Sequence, residues 1–148
     1  MRITNRQRKT RLEAGACRTL TEKVLRILGR PESEVGLTFV GDRRIRTLNR
    51  LYRKKDRPTD VLAFPLAHAR PLRGAGRTLP PVLLGDVVIS VPTAVRQARE
   101  HNHGLRREIA WLLIHGILHL LGYDHLRPAE ARRMRRKEKA LLKTSYHD

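Results

Sequence analysis

One run of eleven residues constrains this chain more than any other: His115-Gly116-Ile117-Leu118-His119-Leu120-Leu121-Gly122-Tyr123-Asp124-His125. Its histidines stand at offsets 0, +4 and +10, with a glycine at +7. A helix advances about 3.6 residues per turn, so His115 and His119 leave one face, one turn apart. Gly122 is placed to adopt the left-handed conformation that ends a helix and turns the chain back. That return carries His125 toward the same point. Three neutral imidazoles meeting there suit a tetrahedral metal ion with one position left open, as in a catalytic site.

The spacing H-x-x-x-H-x-x-G-x-x-H is that of the metzincin zinc site. The competing reading is a buried helix with three hydrogen-bonded core histidines. Each ring would then need its own partner in an apolar segment, whereas one metal ion serves all three. Metalloproteases place a general-base Glu directly after the first histidine. This chain has Gly116 there, which argues against peptide hydrolysis.

Lys and Arg number 32 against 14 Asp and Glu in 148 residues, a formal charge of +18. A field of that sign attracts polyanions, nucleic acid first and an anionic membrane surface second. The 40% of hydrophobic residues supply one core, and with 4% aromatics it is expected to be aliphatic. The single cysteine, Cys17, excludes an internal disulfide and reads as a small packed side chain. The basic start Met1–Lys9 lacks a signal-peptide pattern, and the apolar run Ile109–Leu121 is too short to span a bilayer. A cytoplasmic protein is expected.

Periodicity predicts helices over Leu12–Leu28, Asp42–Lys55, Pro92–Glu100, Leu105–Leu121 and Pro128–Lys143. Ile45, Leu48, Leu51 and Tyr52 are expected to face inward from the second. Strands are predicted at Val35–Val40, Asp60–Pro65 and Leu83–Ser90, with Arg2–Arg8 an edge strand or a basic arm. The stretch His68–Pro81, rich in Pro, Gly and Arg, reads as an exposed loop. This order defines one α+β domain over residues 1–148, a small mixed sheet packed against several helices. The histidine helix, apolar around most of its circumference, belongs at its centre.

A second constellation lies at Tyr52-Arg53-Lys54-Lys55-Asp56-Arg57-Pro58-Thr59-Asp60. A guanidinium binds phosphate through two parallel hydrogen bonds, so Arg53 or a neighbour is a candidate to hold a phosphodiester. A solvated basic helix face is the equal alternative. Thr59 and Asp60 read as turn-capping residues. The last helix carries Arg127, Arg132, Arg133, Arg135, Arg136, Lys137, Lys139 and Lys143 against Glu130 and Glu138. It reads as a solvated face able to contact a nucleic-acid backbone without sequence choice. His101 and His103 read as surface residues at a helix junction, with a substrate contact as the alternative.

Three blocks, His115–His125, Tyr52–Pro65 and Leu84–Ser90, occur in one order that resembles the YbeY family of bacterial rRNA maturation factors. The resemblance covers roughly residues 35 to 143. It implies a single-domain metal-dependent endoribonuclease, a hydrolase of RNA phosphodiester bonds acting in 16S rRNA 3′-end processing and ribosome quality control. It implies one zinc per chain on His115, His119 and His125, and an arginine needed for activity at Arg53. It also implies rRNA and the small ribosomal subunit as partners, with ribosomal or assembly-factor proteins beside them and no membrane. Asp124 belongs to the family pattern. It reads as the residue that orients a ligand histidine, with general base as its alternative role. The chain departs from the pattern in two places. Ala63 stands where the family usually has Ser, and Asn102-His103-Gly104 where it usually has Gly-His-Ser. The second bears on how the motif helix is capped.

The main alternative is a non-catalytic basic ribosome-assembly factor with a structural metal. Such a site needs a fourth protein ligand, for which Asp124 or His101 would have to fold in.

Overall fold

The computed structural model describes residues 1–66 and 82–147. The loop expected over His68–Pro81 lies outside them. The chain runs β1 (Arg2–Asn5), α1 (Ala14–Ile27), β2 (Glu34–Val40), α2 (Asp42–Arg53), β3 (Val61–Pro65), β4 (Leu83–Ser90), α3 (Val91–Glu100), α4 (Leu105–Leu120) and α5 (Pro128–Ser145). The four strands form one sheet in the order β1-β2-β4-β3. β1, β2 and β4 are parallel, and β3 closes one edge antiparallel to β4. The α+β class and the mixed sheet are those expected, and the basic N-terminal segment is the edge strand β1.

Alternation along the strands explains the two layers, because successive side chains point to opposite faces. Val87, Ile89 and Val61 join Leu37, Phe39 and the apolar faces of α1, α4 and α5 in the larger core. Val88, Leu62 and Val40 point the other way and pack with Ile45 of α2. The central strands β2 and β4 are therefore covered on both faces, as their near-continuous apolar sequences require. Cys17 packs in the larger core as expected. Burial, helped by the charge of Glu13, pushes its thiol up to about 11, so it stays protonated and unreactive.

α2 departs from expectation in its last turn. Ile45 is fully buried and Leu48 partly so, but Leu51 and Tyr52 are 64% and 67% exposed. Leu51 is rotated about 240° from Ile45, off the inward stripe. Tyr52 stays on the stripe, but past the packed part of the helix, its ring edge-on to Phe64 at 5.1 Å. Asn49 takes the inward place, its Nδ2 donating to the Arg57 carbonyl at 2.9 Å. At its other end α2 is tied to α3. Asp42 accepts from Ser90 Oγ (2.6 Å), Thr93 Oγ1 (2.7 Å) and Arg96 Nη2 (2.9 Å). Burial opposes ionisation of Asp42, but these hydrogen bonds and the Arg96 charge outweigh it and lower its pKa.

α4 lies at the centre, packed against β3, β4, α1, α3 and α5. It approaches the sheet closely because residue 116 is glycine. A Cβ there would sit 2.7 and 2.9 Å from the two Cγ atoms of Val87, and valine has little rotamer freedom to yield. Gly116→Ala is expected to lower stability by up to about 2 kcal/mol, a few degrees of melting temperature. Overpacking of about 1–3 kcal/mol outweighs the gain of about 1 kcal/mol in helix propensity. Thermal denaturation followed by circular dichroism measures it.

Candidate active site

The C-terminus of α4 sets the geometry. The Gly122 N–H donates to the His119 carbonyl (3.0 Å), and the Tyr123 N–H to the Leu118 carbonyl (3.0 Å). This is a Schellman closure, with Gly122 at φ 94° in the left-handed region. The chain reverses and the three rings face one another. Ring centroids lie 4.7 Å apart for His115 and His119, 5.0 Å for His119 and His125, and 5.8 Å for His115 and His125. His115 Nε2 and His119 Nε2 approach to 3.1 Å. Two ligands at about 2.0–2.1 Å from a tetrahedral zinc lie about 3.3 Å apart, so this pair fits such an ion.

The other nitrogen of His115, Nδ1, is hydrogen-bonded to Glu138 Oε1. Glu138 is buried on α5. A carboxylate there fixes the ring orientation and the tautomer, leaving Nε2 to face the other histidines. His119 is held neutral, its pKa depressed to about 4. Burial is the main cause, followed by the charges of His115 and His125, with Arg53 adding to them and Asp124 opposing.

Asp124 holds backbone in place. Its Oδ1 accepts from the N–H of His125 (2.6 Å) and of Leu126 (3.3 Å), and stands 3.7 Å from His125 Nδ1. It fixes the turn that presents His125, while the ring-orienting contact found here is made by Glu138. Arg53 is exposed at the end of α2, where Lys54 turns left-handed (φ 58°), and it is near enough for its charge to act on His119. Asp60 accepts from the Val61 N–H (2.7 Å) and, across the fold, from Gln97 Nε2 of α3 (3.2 Å).

His101 and His103 are not simple surface residues. Both rings converge on Glu108 Oε1, at 2.7 and 2.6 Å. His101 therefore pairs with Glu108, and Asp124 with backbone N–H groups. Gly104 is the N-cap of α4 and makes no side-chain capping bond. A cavity of about 560 Å³ is lined by His101, His103 and Glu108 together with His115, His125 and Glu138. Arg107 and Arg135 also face it.

Two carboxylates important here, Glu138 and Glu108, were absent from the residues chosen by sequence. The signal was present. Glu138 shares the buried stripe of Met134, Leu141, Leu142 and Ser145, and Glu108 the stripe of Leu112 and His115. A buried carboxylate on an apolar stripe needs a cationic or donor partner.

The sequence profile of the family "Endoribonuclease YbeY" matches residues 2–146. An endoribonuclease YbeY of Anaeromyxobacter sp. (strain Fw109-5) is 48% identical over 143 residues, covering 97% of this chain and 70% of that one. That of Pelotomaculum thermopropionicum is 46% identical over 144 residues, covering 95% and 93%. A solution structure from Thermotoga maritima superposes with a TM-score of 0.62 at 29% identity, covering 96% of this chain and 86% of that one. The α+β fold is thus a shared architecture. The chain belongs to the endoribonuclease YbeY family.

Proposed function

We propose that this chain is a zinc-dependent endoribonuclease that matures rRNA in the cytoplasm, at the 3′ end of 16S rRNA, and takes part in ribosome quality control. The activity rests on membership of a family of RNA-cleaving hydrolases. The site rests on one observation, the convergence of three imidazoles beside a buried carboxylate. The all-imidazole donor set suits zinc, and one ion per chain would sit on His115, His119 and His125.

The ion would supply Lewis-acid polarisation of a phosphoryl oxygen. The chain's own residues do the rest. Glu138 keeps His115 in the tautomer that presents Nε2. Asp124 fixes the turn carrying His125. Arg53 neutralises charge that builds on the non-bridging oxygens, where added binding raises the rate. RNA brings its own nucleophile, the 2′-hydroxyl, so the missing carboxylate at position 116 is less damaging than it would be for peptide hydrolysis, and Gly116 is buried against Val87 in any case. The exposed cations of α5, Arg132, Arg133, Arg136 and Lys139 among them, suit the phosphate backbone of the small-subunit rRNA. Ribosomal or assembly-factor proteins are the protein partners this reading calls for. Among the described residues no helix is long and apolar enough to cross a membrane.

The test offers the purified chain a 16S 3′-end RNA fragment and, separately, casein. Cleavage of RNA alone is expected. Cleavage of casein with RNA left intact would reassign the site to peptide hydrolysis. Glu138→Gln, which keeps shape but removes charge, is expected to weaken zinc binding about 10- to 100-fold, read by competition with a chromogenic chelator.

A further inference from the structure

The link between α3 and α4 builds a second group of metal-binding side chains. Asn102, between the two histidines, has φ 55°, a left-handed conformation that Asn adopts more readily than most residues. This turn directs both imidazoles at one atom. His101 Nδ1 and His103 Nε2 lie 2.7 and 2.6 Å from Glu108 Oε1. The donor atoms of the three residues all lie within 4.8 Å of one another.

Glu108 is 3% exposed at its side chain, whereas His101 is 54% exposed and His103 18%. The group is thus a buried anion with one half-open imidazole as its door. A carboxylate held this far from water calls for cationic or donor partners, and both imidazoles and the shared cavity lie beside it. The place draws positive charge.

We propose that His101, His103 and Glu108 form a second divalent metal site, specific for zinc and related first-row ions, with open positions toward the shared cavity. Two imidazoles and one carboxylate are an established donor set for such ions. Glu108 and His115 are seven residues apart on α4, about 10 Å along the helix. Ions that share one phosphate stand about 3.5–4 Å apart, so the two sites hold their ions separately. This inference does not depend on whether the chain cuts RNA.

The test is a titration of metal-free protein with Co²⁺, followed by visible absorption, and with Zn²⁺, followed by equilibrium dialysis. Wild type is expected to bind two equivalents. His101→Ala, at a half-exposed ring whose loss leaves the core intact, is expected to keep one tight equivalent and weaken the other more than about 100-fold, beyond the loss of an outer partner. His119→Ala is expected to keep the equivalent that His101→Ala loses, and the double variant none. A single equivalent on wild type, or two tight equivalents persisting in both His101→Ala and His103→Ala, would overturn the proposal and leave a hydrogen-bonded ion pair.

Discussion

His119→Ala is expected to lose the ion of the imidazole trio and RNA cleavage together. His119 stands between its two partners, with centroids 4.7 and 5.0 Å from theirs, so its removal leaves two ligands that no longer surround an ion. Lewis-acid stabilisation is worth several kcal/mol in the transition state, and each 1.4 kcal/mol is about tenfold in rate. Cleavage should therefore fall about 10³-fold or more. The helix itself should persist, because α4 is held by Leu113, Ile114, Ile117 and Leu118, all fully buried. Unchanged far-ultraviolet circular dichroism would separate loss of the site from loss of the fold. Cleavage at the wild-type rate would remove His119 from the chemistry.

Arg53→Ala is expected to behave differently, keeping the ion and losing activity. Arg53 is exposed at the end of α2 and reaches the trio only through its charge on His119. Nothing in the folding core depends on it. Removing a cation that stabilises a developing oxyanion costs up to about 10²–10³-fold in kcat. Arg53→Lys is expected to recover part of that loss, since lysine keeps the charge but not the planar fork. A kinetic comparison at equal metal content measures both. Normal cleavage by Arg53→Ala would end its assigned role.

The helices and strands were legible where periodicity and punctuation agreed. Gly122 marked the end of α4 and Pro128 the start of α5, and both elements lie within two residues of expectation. α2 misled because Leu51 lies off the inward stripe, and Tyr52, although on it, stays 67% exposed with only a ring edge against Phe64 of β3. The histidine trio was visible because its spacing is local. Glu138 was not, because it joins His115 across 23 positions of sequence and only packing of α5 on α4 brings them together. Its neighbours Arg135, Arg136, Lys137 and Lys139 hid it within a charged face. Glu108 was missed for a related reason. Its partners come from a turn whose left-handed Asn102 is not readable as a convergence point. Gly116 was read for the base it lacks, and the structure adds its packing against Val87.

The central claim is that the imidazole trio holds an ion on which RNA cleavage depends. The most direct measurement uses one preparation, purified without chelator. Cleavage of a 16S 3′-end RNA fragment is followed before chelation, after it, and after zinc is restored, with zinc content measured at each step in wild type and His119→Ala. The expected result is cleavage that vanishes and returns with the ion in wild type, and in His119→Ala neither the ion of the trio nor cleavage. Cleavage that survives complete removal of zinc, or a zinc-loaded trio with no cleavage of any RNA offered, would contradict it.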